Sequence, residues 1–304
     1  MALSGGVVMP RRWRCRGRDA SATGPTGSEC YHEAMLADVT RRQALALLAA
    51  TAAFPASAAE PALDAPFVPT PHRLVEQMLD LANVNASDFL IDLGCGDGRI
   101  AVAAARRGAR ALGVDLDALR VREAAAAARI AGVENRVRFR RQDLFQTSIF
   151  EASVVALYLL PELNLALRPR LLTELHPGAR IVSHAFGMGD WRPDREETHD
   201  GRRIFLWIVP AAAGGNWALT DADGKVYRLE VDQRFQEISG TLTGEDGVRT
   251  IEAARLSGAS IEFTVEAPAG PRIFQGTIDG AALIATPDST SASLPGWRGR
   301  RIDA

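Results

Sequence analysis

The sequence predicts an α/β chain: a doubly wound parallel sheet followed by a C-terminal all-β antiparallel barrel or sandwich domain. Three observations carry this. Short apolar runs alternate with helical patterns from residue 89 to residue 209, which is how a parallel sheet covered on both faces reads. A glycine-rich turn, "DLGCGDGR", joins the first run to the first helix of that series. Beyond Pro210 the helical period disappears, and short alternating runs recur about every 8–12 residues between turn signals.

Taken in order, residues 60 to 70, "EPALDAPFVPT", form an extended proline-spaced linker. Thr70 is placed to cap a helix and Pro71 to begin it. That helix, to about Val84, sets Leu74, Val75, Met78, Leu79 and Ala82 on one side. Strands follow at 89–93, 111–114, 137–141, 154–160 and 180–185, with further ones at 195–199 and 202–209 joined at Asp200-Gly201. Helices are expected at 99–107, 118–131 and 163–175, the last interrupted at Pro169. In the C-terminal part the runs fall at 225–233, 235–243, 248–256, 260–266, 272–278 and 281–286. The domains implied are a disordered leader with a signal segment over 1–59, the α/β domain over 60–210 and the β domain over 211–304.

The leader has its own logic. "TRRQALALLAATAAFPASAAE", residues 40 to 60, combines paired arginines, an apolar stretch and a small-residue run ending Ala56-Ser57-Ala58. That is the layout of a twin-arginine export signal, which implies a periplasmic destination; the alternative is an alanine-rich helix in a cytoplasmic protein. The apolar stretch, Ala44 to Phe54, is short for a membrane span. Met35 is then a candidate start residue.

Composition excludes more than it selects. Hydrophobic residues make up 47% and charged residues 24%, ordinary for a globular chain. A net charge of -2 provides no basic field for a nucleic-acid partner. Cys15, Cys30 and Cys95 form neither a disulfide framework nor a metal site.

The glycine turn selects the ligand. In an open parallel sheet, ligands bind beyond the C-terminal ends of the strands. Asp92, Asp115 and Asp143 fall at the ends of three consecutive strands. A dinucleotide would share the second acid, but its G-x-G-x-x-G/A fingerprint has Arg99 in the third place here, and Asp97 sets a negative charge near the pyrophosphate position. No G-K-[ST] sequence makes a Walker loop. A ligand with an adenine, a ribose and a zwitterionic, cationic tail fits better, which describes S-adenosylmethionine. Gly94 and Gly96 let backbone approach it, Asp92 faces its ammonium, Asp115 accepts the ribose hydroxyls, Asp143 accepts from the adenine amino group, and Leu144 lies beside the ring.

"DLGCGDGR", "GVDLD" and "RQDLF" together resemble the class I, seven-strand S-adenosylmethionine-dependent methyltransferases, over roughly Phe67 to Pro210. The resemblance implies a Rossmann-like methyltransferase sheet. "PFVPTPHRLVEQML" and "LYLLPELN" look like bacterial relatives of the lysine methyltransferases of mitochondrial inner-membrane proteins, such as the c-ring protein of ATP synthase. In that family the stretch before the first strand lies over the cofactor, so Val68, Pro69 and Thr70 would help close the pocket. The implied acceptor is a protein or small-molecule amine, and a membrane protein is one such substrate.

Methyl transfer needs a neutral nucleophile aligned with the methyl group and shielded from water. The N/D-P-P-Y/F sequence that grips planar amino groups is absent from "ALYLLPELN", which favours an alkyl amine. Tyr158 offers a face for cation–π contact or serves as packing; Glu162 orients the ammonium or is a helix N-terminal charge; His184 is a candidate base or a structural histidine. The rival reading comes from the β domain: eight short strands could form a lipocalin-like barrel, making the chain an exported small-ligand-binding protein with a non-catalytic Rossmann-like domain.

Overall fold

A computed structural model describes residues 67–268, 270–286 and 296–302. The leader, its twin-arginine segment and Met35 lie outside the described residues. Among the described residues no helix is long and apolar enough to cross a membrane.

Four helices, α1 (His72–Leu81), α2 (Arg99–Arg106), α3 (Ala118–Ile130) and α4 (Pro161–Glu174), pack on the first sheet. Its strands are β1 (Phe89–Leu93), β2 (Arg110–Asp115), β3 (Val137–Arg141), β4 (Val154–Leu157), β5 (Arg180–His184), β6 (Arg195–His199) and β7 (Arg202–Ile208). The order is β3-β2-β1-β4-β5-β7-β6. Strands β1 to β5 run parallel, while β7 enters antiparallel between β5 and β6. The order reverses between β1 and β4, and that switch point opens a crevice above their C-terminal ends. Both faces are covered: Ile91, Leu93, Val155 and Leu157 pack on α4, while Leu90, Val154, Ala156 and Val182 pack on α1 and α2.

Two details depart from expectation. Pro169 does not interrupt α4, which is continuous from Pro161. The proline removes only the bond to the carbonyl of Leu165, a residue on an exposed face. Thr70 does not cap α1, where Pro71 holds the cap position without a side-chain bond. The Thr70 hydroxyl is spent elsewhere, as described below.

The second sheet runs from β8 (Gly215–Thr220) through β9 (Val226–Arg234), β10 (Glu237–Gly244), β11 (Gly247–Thr250), β12 (Glu252–Ser257), β13 (Ser260–Val265), β14 (Arg272–Asp279) and β15 (Ala282–Ala285) to β16 (Arg298–Arg301). Its order, β11-β10-β9-β8-β16-β15-β14-β13-β12, puts β11 and β12 at the two edges. Only Ile251 separates them in the chain, so one bent strand joins both edges and closes the sheet into a barrel-like ring. The Ile251 N–H donates to the Gly240 carbonyl at 3.1 Å, carrying the ladder across the bend. The run expected at 248–256 is thus two strands, broken by a register shift between Glu252 and Arg255. β8 and β16 were not among the expected strands. They pair with each other and complete the ring.

The ring encloses side chains. Trp217, Leu229, Phe263, Phe274 and Trp297 are buried together, with Phe263 stacked on Phe274 at 4.8 Å between centroids. An eight-segment barrel has an interior that side chains can fill, and here they do.

Candidate active site

The cleft at the β1/β4 switch point has a volume of about 250 Å³. Its floor is the glycine turn. Gly94 (φ 79) and Gly96 (φ 53) adopt left-handed backbone, and a Cβ on Gly96 would lie 2.4 Å from the Phe67 ring. The N–H groups of Gly94 and Cys95 both donate to the Val114 carbonyl at 2.9 Å, which fixes the turn against β2.

The acids differ in how they are satisfied. Asp92 is buried, and its Oδ2 has no hydrogen-bond partner. Burial raises its pKa to about 7, with the Ala101 N–H opposing and Asp115 and Asp97 adding to the rise. Asp115 accepts from the Gly96 N–H at 2.8 Å and from the Asp117 N–H at 2.9 Å, so both oxygens are oriented yet keep lone pairs for hydroxyls. Asp97 is held by Arg99 through Nε to Oδ1 at 2.9 Å and Nη2 to Oδ2 at 2.5 Å. Burial alone would raise its pKa; the guanidinium outweighs this and lowers it. The charge expected to repel pyrophosphate from Asp97 is therefore paired, and the uncompensated carboxylate is Asp92.

Arg99 also reaches upstream, donating from Nη1 to the Thr70 carbonyl at 2.6 Å. This bond ties the segment 67–70 to the glycine turn. Phe67, Val68, Pro69 and Thr70 all line the cleft, and the Arg120 guanidinium lies 4.0 Å above the Phe67 ring. Neither Arg99 nor Phe67 stood out in the sequence as a site residue. The signal was there in the arginine that replaces a third glycine.

The opposite wall is apolar: Tyr158, Leu159, Leu160, Leu163 and Phe186. Tyr158 lines the cleft, and its ring lies 3.9 Å from that of His184. His184 does not itself line the cleft. It is buried behind Tyr158, with Nδ1 hydrogen-bonded to Thr70 Oγ1 at 3.0 Å. Burial, with a contribution from Arg202, lowers its pKa to about 4, so it is neutral at pH 7. His184 therefore supports two lining residues at once. Glu162 is exposed in the first turn of α4, away from the cleft lining, where a carboxylate favours the helix dipole. Asp143 is likewise off the lining: its carboxylate accepts from the Phe145 N–H at 2.8 Å and caps a short 3-10 turn, while its neighbours Gln142 and Leu144 face the cleft.

Phe186 reaches the wall by a tight turn. Its N–H donates to the His184 carbonyl at 2.9 Å across Ala185, whose φ is 66. A left-handed alanine costs on the order of 1–3 kcal/mol and persists where its surroundings enforce it. Asn164, missed in the sequence, is one enforcer: its Nδ2 donates to the Phe186 carbonyl at 3.2 Å and the Gly187 carbonyl at 3.4 Å.

A cleft with a buried orphan carboxylate, a glycine floor and an oriented ribose acceptor fits S-adenosylmethionine. Its ammonium supplies a partner for Asp92, beside which a phosphate would meet like charge. Fold and site together define a seven-strand S-adenosylmethionine-dependent methyltransferase. Comparison with known proteins narrows the class. Residues 92–195 match the family model described as the ANTKMT methyltransferase domain. A protein-lysine N-methyltransferase of Saccharolobus islandicus is 39% identical over 150 residues, 47% of this chain and 93% of that relative. The lysine N-methyltransferase of Mus musculus that is named for the c-ring protein of ATP synthase is 33% identical, over 49% of this chain and 60% of that relative. A solved structure of an RNA methyltransferase from Salinibacter ruber with S-adenosyl-L-homocysteine is 49% identical, over 48% of this chain and 95% of that one, at a TM-score of 0.47. The chain belongs to the ANTKMT-type methyltransferase family, whose curated relatives are named lysine N-methyltransferases. It spans 60% of the length of the mouse relative.

Proposed function

We propose that this protein methylates the side-chain amine of a lysine in another protein. When bound, S-adenosylmethionine supplies an electrophilic methyl group on a sulfonium. Asp92 holds the ammonium end, Asp115 the ribose hydroxyls, and Leu144 lies against the base. Val68, Pro69 and Thr70 cover the cleft and exclude water, latched by Arg99.

The observation that carries the acceptor class is the wall opposite the acids. Tyr158, Leu160, Leu163 and Phe186 form an apolar, aromatic channel side that suits an alkyl chain ending in an amine. Tyr158 offers its ring to the approaching ammonium, and His184 acts behind it as a positioning residue. The lining acids, Asp92, Asp97, Asp115 and Asp117, belong to the cofactor side. The amine therefore sheds its proton to solvent before attack, and the rate should climb with pH towards the ordinary lysine range near ~10. The relatives' names support lysine. Two of those names, for enzymes acting on the ATP synthase c-ring protein and on adenine nucleotide translocase, also support a membrane protein as acceptor. So does the exposed apolar rim formed by Phe67, Val68 and Leu160.

The test is mass spectrometry of proteomes and RNA from cells with and without the gene. Loss of methyl-lysine at a defined site is expected. Loss of base methylation with lysine unchanged would overturn the reading. The proposal extends to a β module spanning residues 211–304 and to export directed by residues 40–60; a mature N-terminus upstream of Ala56 would sink the export part.

A further inference from the structure

The segment from Phe186 to Arg192 runs from the cleft wall to the barrel. Phe186 lines the cleft, carried there by the left-handed turn at Ala185. The open sheet grips the near end. Ser183 Oγ donates to the Phe186 carbonyl at 2.8 Å, Asn164 bonds the same carbonyl, and Arg168 Nη1 donates to the Met188 carbonyl at 2.9 Å while pairing with Asp190.

The barrel grips the far end. The turn between β9 and β10 sets Phe235 in left-handed backbone, φ 58, which turns its ring outward onto Trp191. The two rings stack at 5.8 Å with planes 20° apart. Gln236 bonds in both directions: Trp191 Nε1 donates to its Oε1 at 2.8 Å, and its Nε2 donates to the Arg192 carbonyl at 2.7 Å. Arg234 pairs with Asp190 at 2.7 Å. The Arg168 guanidinium lies 5.5 Å over the Phe235 ring, so α4 and the barrel meet on one side chain. The hairpin's polar bonds and ring contacts with the open sheet fall on residues 168 and 190–192. They do not fall on the cofactor acids.

We infer that the β9–β10 hairpin is a positioning element for methyl transfer: it holds segment 186–192 so that Phe186 keeps its place in the acceptor-side wall. The inference rests on the methyltransferase reading and gives the barrel a part in it. Cofactor binding, built from β1, β2 and the segment 67–70, is independent of the hairpin.

The test uses the full chain with Phe235→Ala, Gln236→Ala and the conservative Phe235→Tyr. In both alanine variants the affinity for S-adenosyl-L-homocysteine, by calorimetry, should stay within about twofold of the parent. Hydrogen exchange at residues 186–192 should quicken at least about tenfold without a matching change at residues 89–97. Labelled methyl transfer from S-adenosylmethionine to an array of lysine-containing peptides should lose about tenfold in turnover, with the cofactor KM unchanged. Phe235→Tyr should restore both exchange and turnover. Unchanged exchange in the alanine variants overturns the inference, as does S-adenosyl-L-homocysteine affinity that falls in step with turnover. Should the parent protein label no peptide, the lysine reading fails by itself, and the exchange and calorimetry arms still decide the role of the hairpin.

Discussion

Each sheet buries a polar atom that has no partner: Asp92 Oδ2 in the open sheet and Trp297 Nε1 in the barrel. The Asp92 atom faces a cleft, and its environment holds the carboxyl near neutrality, with a pKa of about 7. The Trp297 atom belongs to a ring packed on Phe274 at 5.6 Å in a filled interior. The same deficit has two meanings. Beside a cleft it marks a binding site for a cation. Within a packed core it is a cost tolerated because the rest of the indole buries so much apolar surface.

The barrel is the first place to break this contrast, because the largest effect is expected there. Phe274→Ala should cost about 3–5 kcal/mol in urea unfolding, since its ring stacks on Phe263 and backs Trp297. The folded fraction should bind S-adenosyl-L-homocysteine as before; weaker binding per folded molecule would break the division between a site and its support.

Asp92→Asn should move the other sheet in the opposite sense. Ligand affinity should fall by about 1–3 kcal/mol, because a charge-assisted bond is lost. Ligand-free stability at pH 8 should hold or rise, because an orphan carboxylate is gone. The pH dependence sharpens this. The folded pKa of Asp92 lies above its unfolded value, near 3.8, so its contribution to ligand-free stability is full below that value and is lost as pH rises through about 7. Ligand affinity has the reverse slope, strengthening as Asp92 ionises through pH 7; calorimetry from pH 6 to pH 8 on parent and variant should show the slope only in the parent. His184 must be separated out by the same comparison, because its depressed pKa makes stability fall with falling pH between about 6.5 and about 4.

Trp297→Phe removes the orphan donor while keeping an aromatic ring, so thermal unfolding should change by no more than about 1 kcal/mol. Smallest of all, Glu162→Gln should cost less than about 1 kcal/mol through the α4 dipole and leave turnover untouched. A large loss of turnover would return Glu162 to the site.

The open sheet was the more legible half. Its strands are apolar runs ended by acids, and Asp92, Asp115 and the glycines could be named because their chemistry is local in sequence. What was not visible is what the chain assembles from afar. Arg99 meets Thr70, Asn164 meets Phe186, and Thr70 gives its hydroxyl to His184 rather than to its own helix. In the barrel, β16 reads "RGRR" and has no apolar alternation to detect. Its strand character comes from pairing with β8 and β15, and Gly299 leaves room for Leu219, which lies 2.4 Å from where a Cβ would sit. Long-range pairing overrides local propensity there.

The order of the strands bears on how this chain behaves in a crowded solution. The barrel has joined its own margins through Ile251, and the open sheet ends on β3, "VRFRR", and β6, "REETH". Both margins are dense in charge, so a stray strand from a neighbouring molecule meets like charges and desolvation in place of a greasy template. Concentrated stocks should accordingly resist cross-β aggregation without any shielding partner.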